Sequence, residues 1–325
     1  MKKYISYLNT VLLLLVLIFS GCKSNSDNNN QDQIRILSLR GPSAITMLHM
    51  MEKTSLIGNK QIDYQVHAEP NRIRSILLQE EAEFAFLPSN MAAILYNKEV
   101  PYQVVMIPVW GTLYLCGDTE QIKTIKDLSG HRVYSMARGL NPDIIFRYLL
   151  TQNGLIPDKD LTMDYSFPTH IDLANAVIAG IAPLAVLSEP QMSLVLKKNP
   201  DIKVLVDLNN EWKKNHISGI PQTALVAHKD LIRNQPQLLD KIIREVSASC
   251  SSANKNPYKT AELCVKYNIL GEEDAALQAI PRCNILPVTG ENILKPLNTY
   301  LQIFYNFNPL SIGEQLPDED FIFTK

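Results

Sequence analysis

Ile34-Arg35-Ile36-Leu37-Ser38-Leu39 runs into Arg40-Gly41-Pro42-Ser43, and then into a segment whose apolar residues Ala44, Met47, Leu48 and Met51 share one helical face. The phrase returns at Arg132-Val133-Tyr134-Ser135-Met136-Ala137, followed by Arg138-Gly139-Leu140-Asn141-Pro142 and a helix carrying Ile144, Ile145, Tyr148 and Leu149. Both copies hold an Arg and a Ser at the same spacing (Arg35/Ser38 and Arg132/Ser135), and both break at an Arg-Gly turn. Asp63-Tyr64-Gln65-Val66 then matches Asp164-Tyr165-Ser166-Phe167, each leading through a loop to a helix, Arg72–Gln79 or Asp172–Ala179. Ala85-Phe86-Leu87-Pro88-Ser89-Asn90-Met91 matches Ala185-Val186-Leu187-Ser188-Glu189-Pro190-Gln191-Met192, with one residue inserted. Three landmarks at a nearly constant offset mark two copies of a β-α-β-α-β unit.

Strands that alternate with helices form parallel sheets with right-handed crossovers, so the fold class is α/β. Such sheets bind ligands outside the carboxyl ends of their strands, where the chain direction reverses. Two lobes of this kind facing one another enclose a cleft. The strand-like runs Trp110–Cys116 and Thr223–His228 flank the second unit and are expected to cross between the lobes. Helices over Pro236–Ser249, Pro257–Tyr267, Glu272–Ala279 and Glu291–Phe304 are expected to complete the first lobe. The expected division is 34–115 with 222–325 as one lobe and 116–221 as the other.

The N-terminus sets the compartment. Lys2 and Lys3 precede the apolar run Val11–Phe19, and Ser20-Gly21-Cys22 follows, which is the layout of a secretory signal over residues 1–21. The run is shorter than the ~20 residues a membrane span needs. Ser20-Gly21-Cys22 resembles the end of a bacterial lipobox, with Phe19 where Leu is usual, so Cys22 is the expected lipidation site. Residues 23–33 are almost wholly polar and unable to pack a core, and serve as a tether with a reach of about 20 Å. Lys2 and Lys3 are the only charges in the leader, so its removal widens the acidic excess beyond the net −2 of the 325-residue chain. A nucleic-acid partner is not expected from that balance. A hydrophobic content of 46% with 20% charged residues excludes a disordered chain.

Ile34–Ser43 with its helix, Phe86-Leu87-Pro88-Ser89-Asn90 with its helix, and Ile125-Lys126-Asp127-Leu128-Ser129-Gly130 before a strand together resemble the nitrate/sulfonate/taurine-type substrate-binding proteins of ABC transporters, in the thiamine-precursor-synthase-like group. Asn153-Gly154-Leu155, Asp158 and the Glu189-Pro190 turn add to the resemblance, which spans Ile34–Lys325. It implies a type II periplasmic-binding-protein-like fold with two lobes and two crossover strands. It also implies a non-enzymatic, extracytoplasmic carrier of a small polar, anionic or zwitterionic solute. Its partners would be the permease and ATPase subunits of the transporter and, through Cys22, a membrane; a monomer is expected, with no cofactor and no metal. The alternatives are an enzyme of the same fold or a cleft-based sensor.

Strand ends and helix starts carry the candidate ligand contacts, because a helix N-terminus offers free N–H groups and about half a positive charge. Four such turns are expected at the cleft: Gly41-Pro42-Ser43, Pro88-Ser89-Asn90, Arg138-Gly139-Leu140-Asn141 and Glu189-Pro190-Gln191. Ser43, Ser89 and Asn141 can cap their helices, donate to a ligand, or do both. Arg138 is the candidate for a bidentate grip on an oxyanion, and otherwise a surface residue paired with a local carboxylate; Arg40 is a weaker one. Trp110 either stacks on a planar ligand or packs between the lobes. Glu189 suggests an amino group on the ligand, or a partner for Arg138, or a solvated helix start. Thr169 and His170 close a loop of the second unit, and Gln222 offers an amide beside the second crossover.

No Gly-x-Ser-x-Gly, His-Glu-x-x-His or P-loop pattern occurs. The thiamine-pyrimidine enzymes of the resembling group use clustered cysteines, which this chain lacks, and its menaquinone-pathway enzymes are cytosolic. Cys116, Cys250, Cys264 and Cys283 either remain buried thiols or bridge, with Cys250–Cys264 the candidate pair.

Overall fold

A computed structural model describes Gln33–Thr324. The leader, Cys22 and all but the last residue of the tether lie outside the described residues. Among the described residues twelve strands run in chain order: β1 Gln33–Leu39, β2 Leu56–Ile57, β3 Lys60–His67, β4 Phe84–Pro88, β5 Tyr102–Trp110, β6 Leu113–Gly117, β7 Arg132–Tyr134, β8 Thr162–Asp164, β9 Leu184–Ser188, β10 Lys203–Asp207, β11 Pro221–His228 and β12 Ile285–Val288. They form a seven-stranded sheet ordered β12-β5-β11-β4-β1-β3-β2 and a five-stranded sheet ordered β10-β6-β9-β7-β8. The fold is α/β with two sheets flanked by helices, as the alternating pattern predicts.

The duplication is visible in the strand order. In the first sheet β1 lies between β4 and β3 and pairs parallel with β4; in the second β7 lies between β9 and β8 and pairs parallel with both. An antiparallel strand then borders each unit, β11 against β4 and β6 against β9. Parallel strands covered on both faces need apolar side chains at every position, and Phe84–Leu87 and Leu184–Leu187 are buried throughout. Helices cover the faces for the reason their periodicity gives. Leu239, Ile242, Val246 and Cys250 recur every three or four residues along Pro236–Lys255 and are wholly buried.

Several expected elements differ in extent; the helix expected over Pro236–Ser249 runs on to Lys255, and that expected over Glu291–Phe304 occupies Leu294–Phe307. The helix after β1 is two pieces, Pro42–Ile45 and Leu48–Lys53, because the Thr46 hydroxyl takes the Ser43 carbonyl (2.6 Å) at the break. β8 stops at Asp164, whose carboxylate accepts the Ser166 N–H (2.9 Å) and turns Tyr165–Phe167 out of the sheet. Trp110–Cys116 is not one crossing strand. Trp110 pairs with Pro221 in the first sheet and Leu113 with Ser188 in the second, with Gly111-Thr112 between them; Thr223–His228 lies wholly in the first sheet.

That junction is tightly packed. The Asn209 side-chain carbonyl accepts the Ile220 N–H (2.9 Å), and the Gln222 amide both accepts from the Thr112 N–H and donates to its hydroxyl, each at 2.7 Å. Asn284 donates to the Gly111 carbonyl at 2.6 Å. One apolar cluster runs through the junction, from Leu37, Ala85 and Leu87 under the first sheet, past Trp110, Leu113, Trp212 and Ile220, to Leu115, Val133 and Val186 under the second. Separate clusters cover the opposite face of each sheet. Cys116, Cys250, Cys264 and Cys283 are free, buried thiols in these clusters, and desolvation raises their pKa values, to about 12 for Cys116, Cys250 and Cys264.

Gly111 has φ +69°, and a Cβ there would stand 2.6 Å from Cγ of the buried Asn209. Gly111→Ala therefore adds backbone strain to a steric clash and should cost at least about 2 kcal/mol, read as a lower midpoint in chemical unfolding. His49 supplies a pH test. It is buried and bonds through Nε2 to the Thr260 hydroxyl (2.8 Å); burial lowers its pKa, with Lys53 and Lys259 adding to the effect and Glu52 opposing it. The unfolded chain binds the proton more readily, so this contribution is complete above about pH 6.5 and drains away as the pH falls toward the depressed folded pKa. His67, His170 and His216 are shifted the same way by burial. The melting temperature should drop between about pH 7 and pH 5, and drop less in His49→Gln.

Candidate functional site

The carboxyl ends of the parallel strands converge between the sheets. Gly41, just after β1, approaches the ring of Pro190, just after β9: a Cβ on Gly41 would stand 3.5 Å from the Pro190 Cδ. The peptide between Glu189 and Pro190 is cis. Ser43 is buried and its hydroxyl lies 3.1 Å from that of Thr223 on β11. Pro42 opens a helix of only four residues, so this turn brings a far weaker dipole than a full helix would.

Ser89 starts the helix Ser89–Asn97 at the end of β4; it is wholly buried and its hydroxyl has no hydrogen-bond partner among the described residues. Its neighbour Asn90 is occupied, donating to the Ser311 carbonyl at 3.1 Å. At the end of β7, Ser135 repeats the situation of Ser89: wholly buried, with an unpartnered hydroxyl. Asn141, at the start of Asn141–Gln152, donates to the Tyr300 hydroxyl (3.1 Å) and leaves its own carbonyl oxygen buried and unpartnered. A buried hydroxyl or amide without a partner is a liability of about 1–3 kcal/mol in an apolar setting, so these three groups stand out as candidate ligand contacts.

The two charges at the ends of β9 and β7, Glu189 and Arg138, are treated differently. Glu189 is buried, and accepts from Arg282 Nε (2.8 Å) and from the Ser193 hydroxyl (2.8 Å) and N–H (3.3 Å). Desolvation pushes its pKa up while Arg282 and Ser193 pull it down. Its partner is thus Arg282, in the short helical turn Ile280–Cys283, and not Arg138. Arg138 is exposed, stands over the Tyr165 ring at 5.5 Å, and forms no ion pair among the described residues. Beside it the Gly139 N–H goes to Asp143 (2.7 Å), and the Gly139 carbonyl accepts from Asn308 (3.1 Å).

The other predicted contacts have structural engagements. Trp110 is 5% exposed and its ring N–H donates to the Leu286 carbonyl at 2.8 Å. Gln222 is held by Thr112, as described. Thr169 caps His170–Ile178, accepting the Asp172 N–H at 3.1 Å. His170 faces the Ser188 hydroxyl through Nδ1 (3.3 Å), and burial lowers its pKa against the pull of Glu69 from beyond β3. Gln191 opens Gln191–Lys198 and is half-buried.

Ser135, Tyr165, Thr223 and Arg282 are absent from the set that strand-end reasoning selects. Ser135 was within reach, since the repeat aligns it with Ser38 at a strand end. Arg282 carries no such signal: it lies 93 residues from Glu189 in a segment without motif.

Residues 46–255 match the model of a family described as ABC transporter, phosphonate, periplasmic substrate-binding protein. No curated protein matches the chain. Among solved structures, an ABC transporter from Parabacteroides distasonis is 29% identical, with TM-score 0.80, over 90% of this chain and 99% of that one. The periplasmic aliphatic sulphonate binding protein SsuA of Escherichia coli is 16% identical with TM-score 0.70, over 90% and 96% of the two chains. The alkanesulfonate-binding protein SsuA of Xanthomonas axonopodis pv. citri, solved bound to MOPS, is 12% identical with TM-score 0.64 and the same coverage. The two SsuA likenesses are of fold.

The Arg282–Glu189 pair makes a direct prediction. Arg282→Ala strands a carboxylate with no exposed surface, at a cost of about 3–5 kcal/mol. Adding Glu189→Gln should recover most of the loss in the same unfolding assay.

Proposed function

We propose a mode of action that starts from family membership: the chain belongs to the phosphonate-type periplasmic substrate-binding proteins of ABC transporters. It is an extracytoplasmic solute-binding component, working with a permease and an ATPase. In our reading, the chain from 34 to the Gly111-Thr112 crossing, with 221–325, forms one lobe and 113–220 the other, a shift from the expected 115/116 and 221/222 boundaries because β6 begins at Leu113 and β11 at Pro221. The lobes close over a small solute bearing an oxyanion, a phosphonate or sulfonate, and present the closed form to the permease. Cys22 carries the lipid, residues 23–33 form the tether, and the protein acts as a monomer on the outer side of a membrane.

The observation that carries the ligand class is the disposition of the two charges at the strand ends. Glu189, the group that would select an amine, is buried against Arg282. Arg138 is exposed with no carboxylate partner among the described residues. A guanidinium presents two parallel N–H donors to an oxyanion, and the unpartnered Ser89 and Ser135 hydroxyls supply further donors. The likeness to sulfonate-binding proteins supports the same class. Such a site needs no excess of positive charge over the whole protein, which is why a net-acidic chain suits it.

Thermal-shift titration with methylphosphonate, methanesulfonate, taurine and inorganic phosphate should find at least one stabilising ligand. Saturation at about 100 times the dissociation constant adds about 2.7 kcal/mol. Arg138→Ala should weaken that ligand by tenfold or more, matching the roughly 1.5–3 kcal/mol of a charged hydrogen bond. No shift with any oxyanion, or full affinity in Arg138→Ala, rejects the ligand class. Mass spectrometry of the mature protein should find a diacylglyceryl group on Cys22; an unmodified thiol in native membranes rejects the anchor.

A further inference from the structure

The backbone around Arg138 is held in an uncommon shape. Ala137 has φ +52° and Gly139 has φ +76°, with the Leu140 N–H closing back on the Ala137 carbonyl at 2.9 Å. A non-glycine residue in the left-handed region persists only where its surroundings over-determine it. Here they do so from both sides. Asp143, 1% exposed, accepts the Gly139 N–H, and Asn308 donates to the Gly139 carbonyl. The two peptide planes that follow Arg138 are therefore fixed.

The side chain has a support of a different kind. Tyr165 lies under the Arg138 guanidinium, at 5.5 Å from Cζ to the ring centroid. The Tyr165 hydroxyl donates to the Asp143 carboxylate and accepts from Arg147 Nη2 (2.9 Å), so the ring is anchored at its far end. The nearby carboxylates are already engaged: Asp143 and Asp158 both pair with Arg147, at 2.8 and 2.9 Å. Arg147 takes the ion pairs of both carboxylates, and Arg138 is left to the face of the Tyr165 ring, with no ion pair of its own among the described residues.

The distinction matters for binding. A carboxylate partner would hold the guanidinium but cancel its charge and occupy its donors. An aromatic face attracts the cation through the ring quadrupole and leaves the donor edge free for a bidentate oxyanion. We propose that Tyr165 is the positioning residue of this site: it presents Arg138 to the oxyanion as a pre-ordered, unneutralised cation, with Asp143 anchoring both the ring and the turn. The proposal rests on Arg138 as the oxyanion contact.

A double-mutant cycle tests it, using whichever of methylphosphonate or methanesulfonate binds the wild-type chain more tightly. Tyr165→Leu removes the ring face and should weaken the probe about tenfold. Tyr165→Phe keeps the face and should lose less. In an Arg138→Ala background, measured at high probe concentration, Tyr165→Leu should change affinity no further, since its effect passes through Arg138. A merely structural role would weaken the probe equally in both backgrounds, and that result overturns the proposal. Unchanged affinity in Tyr165→Leu alongside a large loss in Arg138→Ala also overturns it, while leaving the oxyanion site standing. If neither probe binds wild type, the oxyanion site and the role of Tyr165 fall together. Should Tyr165→Leu fail to fold, Tyr165→Met, of similar volume but without a π face, serves in its place.

Discussion

Two stretches of chain pass between the sheets, at Gly111-Thr112 and at Gly219–Gln222, and both press on the amide of one buried residue, Asn209. Everything else is placed relative to that crossing. The Asn209 carbonyl fixes Ile220, the Gln222 amide fixes Thr112, and neither crossing segment has room for a side chain at its glycine. With both segments located, a single apolar cluster can run under both sheets, from Leu37 and Leu87 to Val133 and Val186. Burial at ~25 cal/mol per Å² acts on that whole cluster only because the backbone junction keeps the two halves in register.

The junction also brings strand ends together, Gly41 against Pro190 and Ser43 against Thr223. There the chain separates two tasks for charged groups. Glu189 and Arg282 satisfy one another across the gap between the sheets, with Ser193 completing the carboxylate. Breaking such a pair is costly because a buried charge is left behind, so the pair is a structural strut more than a recognition group. Arg138 has the opposite treatment, with a rigid turn, an aromatic support and no neutralising partner among the described residues. In the proposed site that fixed cation is the oxyanion contact, and preorganisation of this kind reduces the ordering cost of binding.

The chain belongs to the phosphonate-type family and has the fold of the sulfonate-binding neighbours at only 12–16% identity. The constraint they share is geometric. Parallel β-α-β units place helix starts and strand ends on one edge, and two such edges face each other whatever the side chains are. Ligand identity is then left to a few residues on the turns, which in the proposed site include Arg138.

Much of the fold was legible because its signals are local. The repeat of Arg35/Ser38 at Arg132/Ser135, the buried runs at Phe84 and Leu184, and the helical period along Pro236–Lys255 each reflect a strand or helix that needs one face, or both, covered. Arg138, Ser89 and Asn141 were legible as turn residues for the same reason. Their partners were not. That Glu189 meets Arg282, that Trp110 and Gln222 serve the junction, and that Tyr165 lies under Arg138 depend on contacts between residues far apart in the chain. The sequence by itself determined the units and the groups offered at their ends, since periodicity and turn chemistry act over a few residues. Only the tertiary structure decided which of those groups are neutralised and which stay free, because a buried charge or hydroxyl is satisfied by whatever packing brings within 3 Å of it.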